Sequence, residues 1–257
     1  MTAQQTTAAV VITGASEGIG RALAHRFAAA GHPVLLIARH AAALEAAALE
    51  VASRSGATAH ALPLDVTEPD AAARIEASLA ARGLHAEILV NNAGIGLGGP
   101  FAAHDADAVA RLVDLNVRAL SLLTRHFLPQ MVARRSGGII NMASLGGYTP
   151  GPYQAAYYAS KAYVLSLSRA LASEMRGTGV HVCVVTPGPV DTAFHARMGA
   201  DTAPYRYLMR AMAADAVARA TYRGWRLGRR VIQPGLLTPV MALLMRVTPW
   251  LILVPLV

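Results

Sequence analysis

The chain alternates short, almost unbroken runs of Val, Ile and Leu with longer stretches patterned for helix, and this alternation limits its fold more than any other feature. Ala8–Thr13, Pro33–Ala38, Thr58–Leu64, Glu87–Asn91, Gly138–Ala143, Val180–Val185 and Arg229–Ile232 read as strands. Between them run helical patterns such as Gly18–Ala30 and the Ala-rich Ala41–Arg54. A strand wetted on one face alternates apolar with polar residues, whereas a near-continuous apolar strand is covered on both faces. Helical connections make neighbouring strands parallel, and their crossovers are right-handed. The expected architecture is α/β: a doubly wound parallel sheet of about seven strands with helices on both faces. No Pro/Gly/Ser-rich linker and no fixed-period repeat divides the chain, so residues 1–257 read as one domain.

Composition removes several classes of function. A hydrophobic fraction of 54% is ample for one large core, and 15% charged residues argues against a long disordered tail. The single cysteine, Cys183, lies in an apolar run, so it forms no internal disulfide and by itself builds no zinc site. The nine histidines show no metal-ligand spacing such as H-E-x-x-H, and no metal is expected. The net charge of +8 is spread without a dense Lys/Arg block, and aromatics are 5%, which argues against nucleic acid. A phosphorylated small molecule accounts for some of that charge more simply. Met1–Ala8 is polar and lacks the basic and apolar regions of a secretory signal, so a cytoplasmic protein is expected.

The first strand ends in Thr13-Gly14-Ala15-Ser16-Glu17-Gly18-Ile19-Gly20, and a helix follows. Gly14 permits a tight turn, Gly18 clears space for a pyrophosphate, and Gly20 lets the helix pack close to the strand. The helix N-terminus then presents free N–H groups and a partial positive charge to the phosphates.

This T-G-x-x-x-G-I-G spacing resembles the short-chain dehydrogenase/reductase family rather than the G-x-G-x-x-G form. The family's N-N-A-G appears as Asn91-Asn92-Ala93-Gly94, its Y-x-x-x-K as Tyr157 to Lys161, and its P-G turn as Pro187-Gly188 followed by Pro189-Val190-Asp191-Thr192. The resemblance spans roughly Val10 to Ile232. It implies a single-domain Rossmann-fold oxidoreductase using a nicotinamide cofactor. Gly14, Ser16, Gly18, Ile19, Gly20, Asn92, Ala93 and Gly94 would then bind the cofactor, with Pro187 and Gly188. It further places Asp65, with Val66, near the adenine amino group, and Val190 and Thr192 at the nicotinamide amide. Asn91 and Gly94 would fix the backbone beside the adenosine.

The second strand ends in Ala38-Arg39, with no acid where an NAD-preferring enzyme holds the ribose 2′-hydroxyl. A guanidinium matches a 2′-phosphate with paired donors, and the Ser16 hydroxyl adds another, so the expected cofactor is NADP(H). A solvated arginine after a strand would look the same, and Glu17 occupies a position where NADP-preferring relatives often carry a basic residue.

Hydride transfer to a carbonyl leaves negative charge on oxygen, which needs a proton. Tyrosine, with an ordinary pKa of about 10, becomes useful near neutral pH beside a fixed cation. Tyr157 and Lys161 share one face of a helical pattern from about Tyr153 to Met175. Tyr153 and Tyr158 have no lysine four residues on, and neither is chosen. Ser144 closes a strand thirteen residues before Tyr157 (157 − 144), the family's usual interval, where its hydroxyl would orient the substrate oxygen. Asn116, in the helix Val113–Val117, matches the Asn that the family uses to hold a water linked to the lysine. Asn116, Ser144, Tyr157 and Lys161 are the expected catalytic set; Ser136, Ser160 and Ser166 read as ordinary loop or helix residues.

The resemblance also places a substrate lid at 188–213, mobile from about Asp191 to Met212. It holds Phe194, His195, Met198, Tyr205, Tyr207, Leu208, Met209 and Met212, an apolar set suited to a hydrophobic substrate or to packing on neighbouring helices. From Pro234 to Val257 the sole charged side chain is Arg246. Three readings of 234–257 stand: cover for the pocket or a subunit interface, a monotopic membrane contact, and a span that Arg246, Pro249 and Pro255 interrupt. Family resemblance further implies a homodimer or homotetramer through helices near Ala106–Met131 and Tyr153–Met175. The functional readings are a carbonyl reductase or alcohol dehydrogenase, a 3-oxoacyl or lipid-type ketone reductase at a membrane surface, and a cofactor-bound sensor or scaffold without turnover.

Overall fold

A computed structural model describes residues 6–198, 210–249 and 251. Its centre is a seven-stranded, all-parallel sheet. The strands are β1 (Thr7–Thr13), β2 (Val34–Ala38), β3 (Ala59–Pro63), β4 (Leu84–Asn91), β5 (Gly138–Met142), β6 (His181–Val185) and β9 (Val231–Ile232). Their spatial order is β3-β2-β1-β4-β5-β6-β9. A small parallel pair, β7 (Val190–Asp191) and β8 (Met212–Ala213), lies apart from it.

Because side chains alternate across a strand, β1 feeds two cores. Val10 and Ile12 pack with Leu23 and Phe27 of α1 (Gly18–Ala29), Leu44 and Val51 of α2 (Ala41–Ser55) and Val217 of α8 (Ala214–Arg226). Ala9 and Val11 pack on the opposite face with Ile75 of α3 (Ala71–Ala80) and Phe127 and Met131 of α5 (Leu120–Arg134). Both faces are therefore dry, which is why the strands read as unbroken apolar runs.

Element ends shift from the sequence reading for local reasons. β4 starts at Leu84 rather than Glu87: Leu84 and Ala86 are buried while His85 and Glu87 are half-buried, so its first half alternates and lacks the unbroken apolar run by which the strands are read. The last strand shrinks to Val231–Ile232, since the Arg229 N–H bonds the Gly224 carbonyl at the end of α8. Tyr153 adopts φ +61° and so cannot begin a helix; α6 runs Ala155–Glu174. Asn116 sits in a π-helical stretch, Asp114–Ala119, that joins α4 (Ala106–Val113) to α5. Among the described residues no helix is long and apolar enough to cross a membrane.

Candidate active site

β1 pairs with β2 on one side and β4 on the other, so the loops leaving β1 and β4 part at the sheet's topological switch point. Thr13 ties them together. Its Oγ1 accepts the Asn92 and Ala93 N–H groups, each at 3.0 Å. The Asn92 amide donates back to the Thr13 and Gly14 carbonyls at 2.9 and 3.1 Å. A Cβ on Gly14 would lie 2.9 Å from Ala93 Cα, and one on Gly20 would lie 2.2 Å from the Gly14 carbonyl oxygen. The glycines are thus demanded by backbone packed on backbone. Glu17, the N-cap of α1, makes no side-chain capping hydrogen bond. At the start of α1, Gly14, Ser16, Glu17, Gly18 and Ile19 line a cavity.

Asn91 departs from its expected place. Its amide turns inward, donating to Thr124 Oγ1 at 3.0 Å and Asn141 Oδ1 at 2.8 Å. The Asn141 amide in turn donates to Ser168 Oγ at 2.9 Å. Asn91 cross-links β4, α5 and β5 inside the protein, and Asn92 is the residue that holds the glycine loop. An asparagine ending an apolar strand has no side-chain partner readable from sequence, so which of the pair faces inward is not legible there.

Tyr157, Lys161 and Ser144 reach the same cavity as the glycine loop. Lys161 is 6% exposed; its ammonium donates to the Met142 carbonyl at 3.0 Å and lies 5.7 Å from the Tyr157 ring centroid. Burial pulls its pKa down to about 8. Ser144 Oγ accepts the Gly146 N–H at 3.1 Å, which fixes the hydroxyl and leaves its proton for another acceptor.

Asn116 stands behind this group. Its Oδ1 accepts the Ile95 N–H at 2.9 Å, and its amide donates to the Ile95 carbonyl at 2.8 Å and to Ser160 Oγ at 3.0 Å. Ser160 donates to the Tyr157 carbonyl at 2.7 Å. Sequence reasoning misses Ser160 and Thr13. The one signal it offers is a polar residue amid apolar neighbours, which needs a partner once buried.

The cavity measures about 1340 Å³. Of the expected cofactor residues it gathers Gly14, Ser16, Gly18, Ile19, Asn92, Ala93, Gly94, Pro187, Gly188, Val190 and Thr192. Gly20 and Asn116 sit behind its wall. Arg39, Asp65 and Val66 follow β2 and β3 beyond the lining: Arg39 is 3.8 Å from Asp65, and Val66 is buried in the core. Phe194 of α7 (Ala193–Met198) closes on Tyr157 with ring centroids 5.5 Å apart. Met198 seats over Gly96, and its carbonyl accepts the Gly98 N–H at 2.9 Å. The lid residues Tyr205, Tyr207, Leu208 and Met209, the His195 side chain, Trp250 and 252–257 lie outside the described residues. Cys183 is buried in β6, where burial pushes its thiol pKa up.

The short chain dehydrogenase family model matches residues 8–203. A sulfoacetaldehyde reductase of Chromohalobacter salexigens is 37% identical over 218 residues, covering 84% of this chain and 82% of that protein. A short chain dehydrogenase of Pseudocercospora fijiensis is 40% identical over 184 residues, which take in 71% of this chain and 59% of the relative. Among solved structures, a short-chain dehydrogenase from Sphingobium yanoikuyae in complex with NADPH superposes with a TM-score of 0.81 at 35% identity, over 90% of this chain and 88% of that one. The chain belongs to the short chain dehydrogenase family.

Proposed function

We propose that the chain is an NADP(H)-dependent oxidoreductase exchanging a hydride between nicotinamide and a carbonyl or secondary-alcohol carbon of a fairly hydrophobic substrate, with Tyr157 as acid and base. One observation carries the reading: Tyr157, Ser144 and the buried Lys161 share a cavity with the start of α1 and its glycine loop. The glycine cradle fits a dinucleotide, because a Cβ at Gly14 or Gly20 would strike the backbone that shapes it.

When bound, a nicotinamide cofactor held by the glycine loop would supply the hydride. The Tyr157 hydroxyl gives a proton to the substrate oxygen in reduction and takes it back in oxidation. Ser144 donates to the same oxygen and orients it. Lys161, buried and charged below about pH 8, favours the phenolate and eases that exchange. Asn116 and Ser160 position the α6 backbone beneath Tyr157. The phosphate preference rests on Arg39, 61% exposed at the end of β2, and on the NADPH carried by the Sphingobium relative. The aromatic wall of Phe194 supports an apolar substrate. A dimer or tetramer, as family resemblance implies, completes the proposal.

The test is NADPH and NADH titration by protein fluorescence, followed by NADPH oxidation against ketones, 3-oxoacyl thioesters and steroids. Selective NADPH binding with turnover of one class is expected. Binding with no turnover would favour the sensor reading, and absence of binding would overturn the proposal.

A further inference from the structure

Helix α9 (Thr238–Val247) has two kinds of apolar surface. Met241, Leu244 and Met245 line the cavity that Tyr157 faces. A second stripe, Leu236, Val240, Leu243, Val247 and Leu251, recurs every three or four residues and points to solvent, with Leu236 95% exposed and Leu243 58% exposed. Charge accompanies it. Asp215 is the last acidic residue of the chain, and the 42 residues after it carry six arginines. All six are exposed; Arg219 pairs with Asp215, and of the six Arg246 lies on α9 itself.

We propose that this stripe docks α9 on the surface of an anionic lipid bilayer, lying in the interface rather than crossing it. Apolar side chains would enter the acyl boundary, while Arg246, between Leu243 and Val247 in sequence, remains with the headgroups. A second copy of the chain fits the face less well. It would set two acid-free, arginine-rich segments of a +8 protein against one another, whereas anionic lipid neutralises them. Since α9 also lines the cavity, the site opens beside the bilayer, and the substrate class is a ketone or alcohol that partitions into lipid. This last step rests on the oxidoreductase reading; the docking itself does not.

The experiment is flotation of the full-length protein with phosphatidylcholine vesicles, with and without phosphatidylglycerol. Wild type should float with the anionic vesicles and lose most of that binding in high salt. A triple variant, Leu236→Glu, Leu243→Glu and Val247→Glu, should lower vesicle affinity about tenfold or more. All three residues are exposed and outside the cavity lining, so NADPH affinity and turnover of a water-soluble ketone should not change. Leu236→Ser, at a site before the helix, repeats the test should the triple variant fold poorly. Turnover of a long-chain ketone dissolved in the vesicles should fall with the loss of flotation. Wild type remaining below the vesicles, or a folded variant floating as well as wild type, would overturn the docking. So would a variant whose native mass drops to a smaller oligomer, which would assign the stripe to a second copy. Failure of wild type to turn over the soluble ketone would instead count against the oxidoreductase reading, whatever the flotation shows.

Discussion

Asn116 donates to the hydroxyl of Ser160 at 3.0 Å, bridging the π-helical stretch before α5 to the residue immediately preceding Lys161. A π-turn in a helix leaves backbone groups out of register and marks functional positions more often than chance. Here it turns a buried carboxamide toward the Ile95 backbone and the Tyr157–Lys161 turn together. In the proposed mechanism Asn116 and Ser160 are positioning residues. Ser160→Ala should cost about 1 kcal/mol of stability in urea unfolding and lower kcat several-fold with little change in KM. Asn116→Leu should cost more, because the Ile95 N–H and carbonyl lose their partners. Equal loss of kcat and stability in both variants would contradict this ordering.

Lys161 makes the stability of the cofactor-free protein depend on pH in a definite direction. Its folded pKa is about 8 against an ordinary 10.5, the cause being burial. Below pH 8 both states carry the charge, and the folded state bears its full cost. As pH rises from about 8 to 10.5, the folded protein has released the proton while the unfolded chain still binds it, so stability increases. The rise attributable to this group is about 3 kcal/mol at most. Lys161→Met should flatten that part of the profile. An unchanged slope in chemical denaturation would show that Lys161 is not the group responsible.

The glycine loop should divide substitutions sharply. Gly20→Ala places a methyl 2.2 Å from the Gly14 carbonyl oxygen, which is backbone, and 2.6 Å from Asn92 Nδ2, which two hydrogen bonds hold in place. It should destabilise by more than about 2 kcal/mol and abolish NADPH binding. Gly31→Ala, with φ +87° and nothing within 4 Å, should cost about 1–2 kcal/mol from backbone strain and leave binding intact. Thermal melts with cofactor titration distinguish the two.

Arg39 is held near Asp65 at 3.8 Å, while Asp65 Oδ1 is already engaged by the Thr67 N–H and hydroxyl. The guanidinium is therefore parked but not locked. If Arg39 holds the 2′-phosphate as proposed, Arg39→Ala should weaken NADPH about tenfold or more and NADH hardly at all, since a charge-assisted contact would be lost. Equal weakening of both cofactors would remove its role at the 2′-phosphate.

Sequence carried the sheet because Val10, Val11 and Ile12 have no polar partner in the run, and a strand buried on both faces admits few alternatives. It carried the place of the glycine turn between β1 and α1, and of Tyr157 and Lys161 one turn apart on α6, because each is a short local spacing. What escaped depended on tertiary neighbours. The Asn91–Asn141–Ser168 chain joins residues distant in sequence. Ser160 looks like any helical serine until Asn116 is set against it. The Tyr153 backbone is the same kind of case: φ +61° is stabilised where its carbonyl accepts the Gly99 N–H at 2.7 Å, far back in the chain.

The central claim is that Tyr157 moves the proton when hydride is transferred. The direct measurement is NADPH oxidation by Tyr157→Phe beside wild type on the best ketone substrate, with NADPH affinity determined in parallel. The account predicts unchanged NADPH binding and a rate lower by about a thousandfold or more, the upper part of the range for general acid–base catalysis. A Tyr157→Phe variant that binds NADPH and turns over at the wild-type rate would contradict it.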